Sequence, residues 1–147
     1  MKIYNTVTIE KNIDFVFNKT NDIDNWKNLF SEYKETEVLL RHNNTLIFRL
    51  KNLHDKEWIS WRNIDYKKNV AIAKRLYPMF PFESMDIRWE YEKLNENKTK
   101  MTWIQEFKPH KDFPKAEKEM KDFLDKNTKK QQNIIKEKLE SNEKVWD

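Results

Sequence analysis

Only one stretch of this chain is long and amphipathic enough to cover a sheet, and it comes last. From about Asp112 to Ser141, apolar side chains recur at spacings of three and four. Phe113, Ala116, Met120, Phe123 and Leu124 begin this stripe, and Asn127, Gln131, Ile134, Ile135 and Lys138 continue it. At 1.5 Å per residue, roughly 30 residues span about 45 Å. A helix of that length with a single apolar stripe must lie against something broad. What precedes it is almost all strand-like.

Ile3, Asn5, Val7 and Ile9 alternate with Tyr4, Thr6 and Thr8, the period of a half-buried strand. Asn12 offers an N-cap for a short helix. A second helical stretch at about Asp22–Phe30 has Asn21 or Asp22 as its cap. Strand patterns then run through Tyr33–Arg41, Thr45–Lys51, Glu57–Tyr66, Asn69–Arg75, Ser84–Glu92 and Thr99–Lys108. Their turns are His42-Asn43-Asn44, Lys67-Lys68 and Asn95-Glu96-Asn97. Pro78 and Pro81 make Leu76–Pro81 a loop, and Pro109 and Pro114 close the strand region. Glycine is absent, so tight turns must draw on Asn and Asp to reach positive φ. The order predicts an α+β fold in which a curved antiparallel sheet wraps the terminal helix.

The chain of 147 residues is expected to form one domain, residues 1–147. No segment approaches the roughly 20 apolar residues of a membrane span. The first residues alternate from the start, unlike a targeting peptide, so a cytoplasmic location is expected. Cysteine is absent, which excludes disulfides and thiolate metal sites. The net charge of +4 is spread among interspersed Lys and Asp/Glu, the pattern of a solvated surface and not of a nucleic-acid binder.

Six Trp, nine Phe and five Tyr are more rigid aromatic surface than so small a core requires. Alternation puts Met85, Ile87, Trp89 and Tyr91 on one face of their strand, and Met101, Trp103, Gln105 and Phe107 on one face of the next. Trp58, Ser60 and Arg62 share a face too, but apolar residues on both faces of that strand leave its inner side open. On pattern alone, an Arg62 paired with a carboxylate or facing solvent is the simpler reading. If it turns inward, a guanidinium, a hydroxyl and an amide stand within an aromatic wall, the make-up of a ligand pocket. There is no nucleophile elbow, phosphate-cradling loop or H-E-x-x-H segment. His42, His54 and His110 fall in turns and loops. No metal or cofactor is expected.

Four segments carry a resemblance: D-N-W-K-N-L-F-S-E-Y (Asp24–Tyr33), W-I-S-W-R (Trp58–Arg62), P-F-E-S-M-D-I-R-W-E-Y (Pro81–Tyr91) and M-T-W-I-Q-E-F (Met101–Phe107). Together they resemble the polyketide aromatase/cyclases of the START-like, Bet v 1-like (SRPBCC) superfamily, whose fold is a helix-grip. The resemblance implies Arg62, Tyr33 and Ser60 as catalytic groups. It implies a substrate pocket shaped by Trp26, Phe30, Trp58, Arg75 and Phe82, together with Met85, Trp89, Trp103, Gln105 and Asn127. The activity implied is aldol ring closure and dehydration of a poly-β-ketone, with an acyl carrier protein as partner. Met79-Phe80 stand where the family usually has glycine before the Pro-Phe pair, which bears on the pocket entrance. Two other readings compete. A START-like carrier of a lipid, quinone or aromatic ligand shares the fold. An interaction module would instead fill its pocket with side chains and expose an apolar patch.

Overall fold

Burial follows the period-two pattern strand by strand. In β1 (Lys2–Ile9), Ile3, Asn5 and Ile9 are buried between more exposed neighbours, and in β3 (Thr45–Asn52) Leu46, Phe48 and Leu50 are. This computed structural model describes residues 1–78 and 80–141. The remaining strands are β2 (Tyr33–His42), β4 (Glu57–Asp65), β5 (Val70–Arg75), β6 (Phe82–Asn95) and β7 (Lys98–Pro109). All seven form one antiparallel sheet in the order β1-β7-β6-β5-β4-β3-β2. Every pairing except β1 with β7 joins neighbours in sequence, so hairpins build the meander. The helix-grip expectation holds.

The turns solve the lack of glycine as anticipated. Asn43, Asp55 and Asn69 adopt φ of 53°, 64° and 54°, the left-handed region that their short polar side chains tolerate. Asp65 braces the β4–β5 turn by accepting from the backbone N–H groups of Lys67 and Lys68, both at 3.0 Å.

Two short helices separate β1 from β2. Helix α1 (Ile13–Thr20) is capped as expected, with Asn12 Oδ1 accepting from Phe15 N at 2.9 Å. Replacing Asn12 by Ala should cost about 1 kcal/mol in a urea titration, since that donor then lacks its partner. A 3₁₀ turn (Ile23–Asn25) leads into α2 (Trp26–Leu29). Here the expected caps fail. Asp22 makes no capping bond and instead accepts from Asn25 Nδ2 at 2.6 Å. Asn21 closes the C-terminus of α1 through its backbone, and its side chain turns inward.

The terminal helix α3 spans Glu117–Glu140, 24 residues and about 36 Å long. It starts later than the stripe predicted, because Pro114 disfavours helical geometry at Phe113. Phe113 instead packs from the connecting loop against a cluster of Met85, Phe107, Met120 and Leu124. Phe123 also departs from the predicted stripe. It is 74% exposed, at the rim of the cavity described below.

α3 is fixed to β1 by polar contacts as well as packing. Gln132 Nε2 donates to Asn5 O at 2.9 Å, Asn5 Nδ2 to Asp125 Oδ1 at 2.9 Å, and Lys136 Nζ to Thr8 O at 2.6 Å. Gln131 ties the helix to the end of α2 through Ser31, accepting from its N–H at 3.0 Å and donating to its Oγ at 2.9 Å. Among the described residues, no helix is long and apolar enough to cross a membrane.

Candidate functional site

The sheet bends around α3 without meeting it along its whole length. The centre of the sheet explains why. The inward positions at the middle of β5 carry Ala71 and Ala73 ahead of Arg75, and the partner strand β4 presents Ser60 among its inward residues. Small side chains there leave a cavity of about 690 Å³, roofed by α3 and walled by β3–β7. That volume suits a drug-sized or larger organic ligand.

The register of β4 decides the question the sequence left open. Trp58, Ser60, Arg62 and Ile64 are the buried face, opposite Leu50, Phe48 and Leu46 of β3 and Ala73 and Ala71 of β5. The simpler reading of Arg62, at an edge or in solvent, is therefore overturned: the residue is 1% exposed. All of Arg62, Tyr33, Ser60, Trp26, Phe30, Trp58, Arg75, Phe82, Met85, Trp89, Trp103, Gln105 and Asn127 border the cavity.

Aromatic rings form one end of the cavity. Trp89 stacks on Trp103 with centroids 4.1 Å apart and planes within 4°, and Trp26 stacks on Trp89 at 5.6 Å. Phe30 lies on Trp103 at 5.8 Å, and Tyr33 on Trp26 at 6.0 Å. The Arg62 guanidinium sits over Trp89 at 4.3 Å and Trp26 at 5.2 Å. Such cation–π contacts recover part of the solvation lost on burial. A polycyclic aromatic compound should therefore quench tryptophan fluorescence saturably on titration; a linear, non-saturating response would mean the rings are closed to ligand.

No carboxylate pairs with Arg62 among the described residues. Its Nε and Nη2 both donate to Asn21 Oδ1, at 3.1 and 2.8 Å. Burial pushes its pKa down to about 10, with Tyr91 and Tyr33 opposing the shift. It remains a cation at neutral pH. Burial also pushes the Tyr33 hydroxyl well above its ordinary value, and the Glu32 carboxylate adds to the shift. Tyr91 rises to about 12, again through burial. Both remain phenols at neutral pH, and Tyr33 is the one that borders the cavity.

A second guanidinium, Arg75, stands nearer the opening, over Trp58 at 4.8 Å and Phe82 at 5.2 Å. Its Nη1 is buried without a partner among the described residues. Asn127 holds Glu32 by donating to its Oε2 at 3.1 Å. Gln105 is oriented by Thr128, whose Oγ1 donates to Gln105 Oε1 at 2.7 Å, leaving the amide N–H groups of Gln105 without an acceptor among the described residues. His54 is exposed at the rim. The glycine-replacing pair Met79-Phe80 is half visible: Phe80 borders the entrance, and Met79 lies outside the described residues.

Sequence reasoning missed Asn21, Glu32 and Thr128. Asn21 read locally as a cap, and nothing in its neighbours points to a strand 41 positions away.

Residues 9–136 match the family described as "Polyketide cyclase / dehydrase and lipid transport". The chain belongs to this family. A Streptomyces cyaneus protein named "Putative polyketide cyclase" is 39% identical over 142 residues, covering 92% of this chain and 91% of its own. Another of the same name from Streptomyces halstedii is 36% identical over 105 residues, covering 68% and 94%. Among solved structures, the Zhui aromatase/cyclase from Streptomyces sp. R1128 superposes with a TM-score of 0.82 over 95% of this chain and 93% of that one. Its identity is 17%, so that likeness speaks for the helix-grip fold alone. Within the polyketide cyclase family, then, this chain supplies a cavity whose least exposed polar lining residue is an arginine with no acid paired to it among the described residues.

Proposed function

We propose that this chain is a polyketide aromatase/cyclase that closes a ring in a poly-β-ketone by aldol condensation and removes water from the product. The observation that carries this reading is Arg62, a buried cation on the aromatic wall with no neutralising carboxylate among the described residues. A poly-β-ketone offers such a site several carbonyl oxygens, and its methylene protons lie between two carbonyls and leave readily.

In the step proposed, a methylene carbon gives up its proton to water and becomes the carbon of an enolate. That carbon forms a bond to a carbonyl carbon further along the same chain. The carbonyl π pair moves to oxygen, and the alkoxide accepts a hydrogen bond from Arg62. Tyr33, kept protonated by burial, delivers a proton directly or through water, with Ser60 orienting that water, and regains one from the water that took the methylene proton. Loss of the new hydroxyl together with a neighbouring proton releases water and leaves a carbon–carbon double bond. Enolisation of the remaining ketones completes the aromatic ring.

The cavity contributes equally by confinement. Trp58, Phe82, Met85 and the Trp89–Trp103 stack restrict a flexible chain to folds that bring two of its carbons together. Such proximity supplies up to several kcal/mol. An acyl carrier protein is proposed as the source of the substrate. The rim carries Lys56, Lys74 and Lys115, positive groups that suit an acidic carrier and the phosphate of its prosthetic arm.

The test reconstitutes a minimal ketosynthase with its carrier protein and compares products with and without this chain. The reading expects one cyclised aromatic product to rise at the expense of the spontaneous mixture. An unchanged product distribution sinks it, and a ligand-carrying role takes its place.

A further inference from the structure

Arg62 owes its position to a neutral group. Both of its bonds to the protein end on one atom, Asn21 Oδ1. The orientation of that amide is fixed from behind. Asn21 Nδ2 donates to Phe17 O at 2.9 Å and reaches Tyr91 Oη at 3.4 Å. Thr20 Oγ1 lies 2.7 Å from Val16 O, to which its only hydrogen goes. The 2.6 Å bond between Thr20 and Tyr91 therefore has Tyr91 as donor, so the Tyr91 oxygen is free to accept from Asn21. A flipped amide would set Oδ1 against the Phe17 carbonyl and an NH₂ against the guanidinium. Only one orientation satisfies the cluster.

A carboxylate at this position would make the same two bonds and cancel the charge. The amide satisfies two donors and leaves the positive charge whole. Tyr91 and Tyr33 are the titratable groups whose charges act on Arg62, and both are phenols at neutral pH. Its guanidinium also lies against the faces of Trp26 and Trp89, which carry no charge. Nη1 takes no acceptor among the described residues, and the residue borders the cavity. The missing negative charge is thus left for whatever enters.

We propose that Asn21 is a positioning residue that holds Arg62 without neutralising it, so that the cavity selects ligands with an anionic or readily ionised oxygen, an enolate or a phenolate. This rests on the cavity being the ligand site, and not on any ring closure being catalysed.

The probe is 2-naphthol, whose absorbance separates phenol from phenolate, titrated with pH in the presence of excess protein. The wild-type protein should bind the phenolate about tenfold tighter than the phenol, seen as a fall of about one unit in the apparent pKa of the bound naphthol. Asn21→Asp should bring that ratio back to about one, as should Arg62→Met. Asn21→Asp also forfeits the bond to Phe17 O, so a second variant is needed in case it does not fold. Asn21→Ser, neutral and smaller, should keep the preference while lowering affinity. The inference is overturned if folded Asn21→Asp retains the tenfold preference, if folded Asn21→Ser loses it, or if the wild-type protein takes up naphthol without preference or not at all. Because this readout needs no polyketide, a positive result beside a failed reconstitution would remove the cyclase reading and leave this one standing.

Discussion

Arg62→Ala is expected to slow ring closure by about 10² to 10³, the effect of losing one donor aimed at a developing oxyanion, or about 3–4 kcal/mol. The size follows from where the group sits. A guanidinium in water adds little to an alkoxide, but Arg62 is shielded from bulk water beside Trp26 and Trp89 and has no acid to satisfy first among the described residues. Arg62→Lys should also be impaired. An ammonium cannot donate twice to Asn21 Oδ1 from a planar fork and still present a further N–H to the cavity. Turnover by each variant in the reconstituted system is the measurement, with folding confirmed by circular dichroism. An Arg62→Ala rate within a factor of three of wild type would remove Arg62 from the chemistry.

Trp89→Ala should be among the costliest single changes to stability, at about 3–5 kcal/mol in chemical denaturation. The ring is buried between Trp26 and Trp103 and carries the Arg62 guanidinium on its face. Its removal opens a void beside a charge that then lacks its closer π partner. Trp89→Phe keeps an aromatic face and should lose markedly less. Equal losses for the two would mean that neither the volume nor the aromatic face kept by Phe contributes at this site.

The architecture was legible because its signals are periodic and few. Six hairpin-linked patterns and one amphipathic stretch allow essentially one way to cover the sheet, and α3 does cover it. Element ends were less legible. The stripe suggested a helix from Asp112, whereas Pro114 delays it to Glu117, and Phe123 shows that an apolar residue in phase can still serve a rim.

The site divides in the same way. Trp89 and Trp103 were placed by alternation, because their strands have one apolar face. Arg62 was not, because Trp58 and Ile64 on its face compete with Ile59 and Trp61 on the other. Pairing with Leu46, Phe48 and Leu50 settles the matter, and pairing is a property of two strands. Tyr33 and Arg75 were placed by resemblance and not by pattern. Asn21 lay beyond either route. A residue at the end of a short helix looks like a cap, and only the folded chain brings its amide to Arg62.

The central claim is that Arg62 acts on the transition state and not merely on the fit of the ligand. Its most direct test is to measure, for wild type and Arg62→Ala, both turnover and the dissociation constant of an inert, uncharged aromatic product analogue by tryptophan quenching. The account predicts turnover lower by about 10² or more, with the dissociation constant changed by no more than about threefold. A parallel loss in both, or neither, would contradict it.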